Sequence, residues 1–543
     1  MRSPTDLMLL HPDGTEDILV AGGRGAIADP YVSFDAHWVY YTYFHDVAKQ
    51  GAGADVYKVN VKSRKIVRLT RQQWTPNTGV VDAKKMPARG VYNMHPCPLP
   101  GGRLVFISDR DGMKAPRGVQ SALQLFVMDD PVGKAFQPDE QNVEKIGYLN
   151  VGQALHPVIL KDGRIIFSSL ELQGRHNAGW GIWSIHPDGT NWNPVVSGLG
   201  FGGAPIPFHF QTQLSDESII VANYYIPAMG GFGMYFKQPA SPPPGTPGFL
   251  PAKWQLDPKM AMMNSYFRMP FQPYGMEVLT RFTHNHDSPA LRADPKDPTS
   301  PHTGWVTHPC GDPDNHLLTV WTGLLHQGRV LDNGYPAIDS GIYLIKNGKP
   351  FWEPGDMVLI KNDPNYNEQW PRPVVPYNRI YGIDEPVQLA PVRNDGKLSK
   401  HLPEGTPFAL VGSSSLYKRE SFPLGTVPKG SVTSVGLPYA AFPTREHRTN
   451  WDGQGADSGL YSNSEIHAIR ILAMEPASLS VSGKFANPAN ERLRILGEFP
   501  VRHFHQSPDR KGGVHQPQRP RRQPRHQLPR QNPSRRRLDL PNA

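Results

Sequence analysis

Short apolar runs alternate with polar turns along most of this chain. Leu104-Val105-Phe106-Ile107, Ile165-Ile166-Phe167, Ile182-Trp183-Ser184-Ile185, Ile219-Ile220-Val221 and Leu317-Leu318-Thr319-Val320 are too short for helices and show no 3.6-residue period. They are bounded by turn residues and rich in β-branched and aromatic side chains, so they predict strands. Gly101-Gly102, Asp162-Gly163 and Asn347-Gly348 lie between or after such runs. These dipeptides accept positive φ, which a tight hairpin turn requires.

The pattern repeats. His95-Pro96 leads to Arg103–Ser108, and His156-Pro157 leads to Arg164–Ser169. Weaker copies run from Asp29-Pro30 to Tyr40-Tyr41-Thr42, from Pro207 to Ile219–Val221, and from His308-Pro309 to Leu317–Val320. A second hairpin follows most copies. The pentapeptide His-Pro-Asp-Gly-Thr closes two of its strands, at His11–Thr15 after Leu7–Leu10 and at His186–Thr190 after Ile182–Ile185. Each unit therefore reads as about four antiparallel strands. Such a sheet buries both faces only by stacking on copies of itself around an axis, which predicts an all-β β-propeller rather than a sandwich with coincidental turns.

Inner strands near residues 30, 96, 157, 207, 309 and 373 predict six blades. The chain opens on an outer hairpin, Leu7–Leu10 with Ile18–Val20. Either that hairpin completes the last blade, or the chain begins inside a longer protein. The propeller is expected over residues 1–385, with an insertion at 237–301. That insertion is Pro-rich first, then rich in Met and aromatic residues, as expected of a lid that packs on the propeller face. Residues 386–502 lose the repeat. Phe408–Val411, Ile466–Leu472, Leu479–Val481 and Leu493–Leu496 predict a small β-sandwich-like domain there.

Composition changes one part of this picture. Of the chain's formal net charge of +9, residues 506–543 carry +8, from nine Arg and one Lys against two Asp. The folded part is nearly neutral, so a dedicated nucleic-acid-binding domain is not expected; only the tail could bind polyanions, without specificity. The stretch 503–543 is rich in Arg, Pro and Gln, has almost no apolar residues and is expected to be disordered. Its composition is that of out-of-frame translation of GC-rich DNA more than of a basic arm. No run of about 18 apolar residues exists to form a membrane-spanning helix, and Met1-Arg2-Ser3-Pro4 precedes no apolar leader.

The candidate chemistry lies in the repeat. His95, His156 and His308 start inner strands, which in a propeller lie near the central channel; His209 is a possible fourth. Cys97 and Cys310, the only cysteines, each follow a His by two residues, the spacing that shares a face on a regular strand. Imidazole and thiolate suit zinc or another divalent metal, so His95, Cys97, His156, His308 and Cys310 form a candidate metal set at the channel mouth. The alternative is that the His bonds a neighbouring blade's backbone and the Cys is a small buried apolar residue. Asp109-Arg110-Asp111-Gly112 reads as a turn without the spacing of a calcium loop. Gly198-x-Gly200-x-x-Gly203 has no helix to meet a phosphate. No nucleophile elbow and no His-Glu-x-x-His occurs.

Several stretches resemble a known family. Val32–Asp35 through Tyr40–Phe44, Asn93–Pro100, Phe106–Arg110, Ser413–Ser421 and Arg492–Glu498 are similar to the hydrazine synthase alpha subunit and its relatives, over roughly residues 5–502. The blades also resemble TolB-type propellers. The first resemblance implies an exported or periplasmic protein. It also implies a c-type haem in full-length relatives, attached at a Cys-x-x-Cys-His that this sequence lacks. A scaffold or binding module with protein partners on the propeller face is therefore expected. The alternatives are a metal-dependent redox or hydrolytic enzyme and a TolB-like propeller that binds a protein or peptide.

Overall fold

The computed structural model describes residues 3–76, 86–115, 121–130, 142–147, 152–170, 180–196, 208–224, 231–241, 275–283, 304–323 and 339–391. It also describes positions 84, 244 and 273 and short strands between 434 and 500. The expected tail, 503–543, lies outside the described residues.

A two-stranded hairpin comes first, β1 (Leu7–Leu10) and β2 (Glu16–Val20). Blade 1 is β3 (Ala26–Val32), β4 (Trp38–Phe44), β5 (Ala54–Asn60) and β6 (Ile66–Arg68). Blade 2 is β7 (Asn93–Leu99), β8 (Arg103–Ser108), β9 (Gln124–Asp129) and β10 (Glu144–Lys145). Blade 3 is β11 (Ala154–Ile159), β12 (Ile165–Leu170), β13 (Trp180–Ile185) and β14 (Asn193–Val196). Blade 4 is β15 (Phe208–Gln213), β16 (Ile219–Asn223), β17 (Met234–Gln238) and β18 (Glu277–Val278). Blade 5 is β19 (Trp305–Asp312), β20 (His316–Thr322), β21 (Gly341–Ile345) and β22 (Val358–Lys361). Every blade is an antiparallel meander in sequence order.

The fold is thus an all-β propeller with five complete blades among the described residues, where six were expected. The inner strands near 30, 96, 157, 207 and 309 are present, but none forms at 373. Residues 371–376 carry prolines at 371, 373 and 376, each without the N–H that a strand ladder needs. A single helical turn follows instead, α1 (Tyr377–Tyr381), ended by Gly382 at φ 74°. Glu277–Val278, inside the stretch read as an insertion, is the outer strand of blade 4.

The two identical pentapeptides fold identically. In each, the His N–H donates to the Thr carbonyl at 2.9 Å, the Asp carboxylate accepts from the Thr N–H and hydroxyl, and the Gly sits near φ 85°. One joins β1 to β2, the other β13 to β14. The opening hairpin is therefore the equivalent of the third and fourth strands of a blade, as its sequence predicted.

The apolar runs are continuous because both faces of a blade are covered. Leu104, Val105, Phe106 and Ile107 of β8 all have 0% exposure. Successive side chains point to opposite faces. Leu104 and Phe106 pack on Tyr40, Val56 and Leu69 of blade 1. Val105 and Ile107 pack with Ile159, Ile165 and Phe167 of blade 3. Each such burial contributes roughly 1.5–3 kcal/mol. A buried ionic tie adds register: Asp130 accepts from Tyr40 Oη at 2.5 Å and from Lys58 Nζ at 2.6 Å, linking blades 1 and 2.

Of the expected small β domain, the described residues hold two hairpins, Ser434–Val435 with Arg448–Thr449 and Ala468–Glu475 with Arg492–Pro500. The expected strands Phe408–Val411 and Leu479–Val481 lie outside the described residues. No helix among the described residues is long and apolar enough to cross a membrane.

Candidate axial site

The recurring X-Pro dipeptide is a β-bulge. In blade 1 Ala28 pairs with Thr42 and Tyr31 with Tyr40, so Asp29-Pro30 together oppose Tyr41. His95-Pro96 likewise oppose Phe106, His156-Pro157 oppose Phe167, Phe210-Gln211 oppose Val221, and His308-Pro309 oppose Thr319. A bulge leaves its extra residue unpaired, so proline costs no ladder bond there. The first bulge residue is left-handed in every blade: Asp29, His95, His156, Phe210 and His308 have φ between 48° and 53°. That conformation costs about 1–2 kcal/mol for a residue other than glycine, and it turns these five side chains toward one another.

They form a ring in chain order. His95 Nε2 lies 3.3 Å from Asp29 Oδ2. The His95 and His156 rings stack at 4.2 Å, His156 meets Phe210 at 4.3 Å, and Phe210 meets His308 at 4.6 Å. The sixth place belongs to Trp370, also left-handed at φ 57°, also before a proline, and stacked on His308 at 3.7 Å. Arg372 closes the circle. Its Nε donates to Pro30 O of blade 1 at 2.7 Å and its Nη1 to Pro309 O of blade 5 at 3.5 Å. Beyond it, Tyr377 N–H donates to Phe34 O and Tyr381 Oη to Gln213 O, so the segment after Trp370 crosses the ends of the inner strands.

A closed polar network orients the first members. The His95 N–H donates to Thr42 Oγ1, and Thr42 Oγ1 donates to Asp29 Oδ2 at 3.0 Å. The His156 N–H donates to His95 Nδ1 at 2.8 Å. With Nδ1 accepting, the proton of the neutral imidazole sits on Nε2, facing Asp29. Asp29 Oδ2 is thereby engaged, while Oδ1 is buried with no donor among the described residues. Gln211 Oε1 and His308 Nδ1 are also buried with no partner among the described residues, although Gln211 Nε2 donates to His156 O. These residues border a cavity of about 30 Å³, room for roughly two water-sized groups.

Burial keeps the imidazoles neutral. It holds His209 down to about 3. It drives His156 well below the ordinary value, helped by the neighbouring imidazoles, and His308 likewise, helped by Arg372. Burial also lowers His95, against the pull of Asp29, and raises Asp29, against the pull of His95.

The structure brings Asp29, His95 and His156 together: one ligating atom of each lies within 4.8 Å of the others, close enough for one ion. His308 lies further round the ring. His209 is one residue before the ring position; it bonds Ser168 Oγ at 2.9 Å and packs on Trp180 and Tyr224. Cys97 is not beside His95. The bulge between them breaks the strand alternation and sends the thiol into the core with Val105 and Ile107, where burial pushes it up to about 12. Cys310 is 9% exposed and near Arg372; burial raises its thiol too, and Arg372 opposes the rise. Asp109 Oδ2 is tied to Arg89 and Asp111 Oδ2 to Lys145, while Asp111 Oδ1 is buried with no partner among the described residues. The residues 198–203 lie outside the described residues. Asp29, Trp370 and Arg372 were missed as site residues, although Asp29 and Trp370 carry the signal, a residue before proline at the repeat position.

No protein-family model matches the chain, and no curated protein does. Among solved structures it is similar to one from a nidogen/laminin complex, at 8% identity and TM-score 0.33, over 65% of this chain and 91% of that one. It is similar to a putative TolB from Agrobacterium tumefaciens, at 12% identity and TM-score 0.27, over 43% and 76%. An oligogalacturonate lyase in complex with manganese matches at 12% identity and TM-score 0.31, over 64% and 69%. Likeness of this degree says nothing about activity.

Proposed function

We propose that this protein is a metal-binding β-propeller, with one divalent cation held on the axis by Asp29, His95 and His156 and used for hydrolytic or redox chemistry. The observation that carries it is the buried Oδ1 of Asp29, without a donor among the described residues, beside two imidazoles whose nitrogens lie within reach of a common ion. A carboxylate with two imidazoles suits zinc or a similar borderline ion. Such an ion, when bound, polarises an oxygen ligand and makes a bound water more acidic. The chain's own residues then orient and enclose. Thr42 fixes the Asp29 carboxylate, the neutral state of His156 leaves a nitrogen lone pair for coordination, and Trp370 and Phe210 limit access of water. Ligation through His95 Nε2 moves that ring's proton to Nδ1, where it faces the His156 N–H and leaves that donor without an acceptor, a cost of about 1–3 kcal/mol. Elemental analysis after dialysis tests the reading. One equivalent of metal in the wild type, lost in Asp29→Asn, supports it; no metal retained by the wild type after loading with zinc or manganese ends it.

A second reading follows from the resemblance to the hydrazine synthase alpha subunit. Its matching stretches at 32–44 and 93–100 are the strands that carry the first two blades and His95. On that reading the propeller is a scaffold of an exported assembly. Neither cysteine lies in a Cys-x-x-Cys-His, so no covalent haem is expected on this chain, and a haem absorption band in the purified protein would contradict it.

A further inference from the structure

Resting on that metal reading, we infer that the cation's remaining ligand is a small exogenous anion, of the size of azide or formate, seated between the ion, His308 and Arg372. The first reason is charge. Among the groups that line the cavity, Asp29 is the one carboxylate and Arg372 the one permanent cation. Adding a divalent ion gives a net charge of about +2 in a buried place, which is costly unless an anion joins it. Among the described residues that line the cavity there is no second carboxylate to take that place.

The second reason is the set of unpartnered atoms. The cation engages Asp29 Oδ1. His308 Nδ1 remains, on a residue only 5% exposed, with no hydrogen-bond partner among the described residues. His308 and Arg372 both border the cavity, and in the tautomer protonated at Nδ1 the imidazole supplies an N–H donor for an anion held there. Gln211 Oε1 adds a neutral acceptor for the cation or for a ligand proton. The third reason is size. The cavity of about 30 Å³ holds an ion with a ligand of only a few atoms beside it. A bulky ligand could enter only by its head group.

The test uses the full chain loaded with cobalt(II), whose visible absorption reports a change of ligand. Sodium azide and sodium formate are titrated at fixed ionic strength, with sodium chloride as the control. The expected result is a saturable spectral change with azide or formate. It should weaken about tenfold in Arg372→Gln and in His308→Phe, which keeps a ring against Trp370, with the cobalt content unchanged. Stoichiometric cobalt with a spectrum indifferent to both anions overturns the inference and leaves the metal reading standing. So does anion affinity equal to wild type in both variants. Failure to bind cobalt at all removes the metal reading, and this inference with it.

Discussion

The backbone N–H of His156 donates to Nδ1 of His95 at 2.8 Å, so a main-chain donor of blade 3 selects the tautomer of a side chain in blade 2. An imidazole nitrogen NMR spectrum of the metal-free protein should show His95 neutral with its proton on Nε2. Replacing His95 with Ala leaves the His156 N–H without its acceptor and opens space beside Asp29. We expect a loss of about 2–4 kcal/mol in a denaturant titration. A loss below about 1 kcal/mol would mean that water replaces the imidazole at no cost.

The buried imidazoles set an acid limit on stability. Burial lowers His95, His156, His209 and His308 in the folded state, His209 to about 3, whereas the unfolded chain protonates them near 6.5. Between those values the unfolded state binds more protons, so stability falls as pH drops below about 6.5. Asp29, raised by burial, acts in the opposite sense above its unfolded value of 3.8, but it is one group against four. The metal-free protein should lose about 1.4 kcal/mol per pH unit for each histidine that stays neutral. Thermal midpoints that stay flat from pH 7 to 5 would show that these rings take up protons in the fold.

Both thiols should be silent in the native protein. Cys97 is fully buried and its thiol is pushed up to about 12, and burial raises Cys310 as well. The thiolate is the reactive form. A disulfide-exchange reagent at pH 8 should label neither cysteine in the folded chain and both in guanidinium chloride. Rapid native labelling of Cys310 would show that Arg372 outweighs burial there.

The segment that fills the sixth place is anchored by specific bonds. Tyr381 Oη donates to Gln213 O at 2.8 Å, and burial raises its phenol. Tyr381→Phe removes only that bond and should cost about 1 kcal/mol of stability. Arg372→Ala strands the Pro30 and Pro309 carbonyls and should cost more, about 2–4 kcal/mol. If both variants unfold with the wild type, the segment does not help to hold the blades together.

The sequence by itself determined what depends on neighbours along the chain. Asp-Gly turns, runs such as Leu104–Ile107 covered on both sides, and the recurrence of His-Pro placed five inner strands and the four-strand unit. They also marked His95, His156 and His308 as facing the axis, because equivalent places in a repeat meet there. The tertiary structure decided the rest. The bulge, whose extra residue shows only when two strands pair, puts Phe210 rather than His209 in the ring and separates Cys97 from His95. Asp29 becomes a site residue only through His95, some sixty residues away in sequence. The sixth strand fails because its prolines cannot join a ladder. Trp370 and Arg372 take its place through contacts with blades 5 and 1, and closure of a ring is a long-range event that no local pattern encodes.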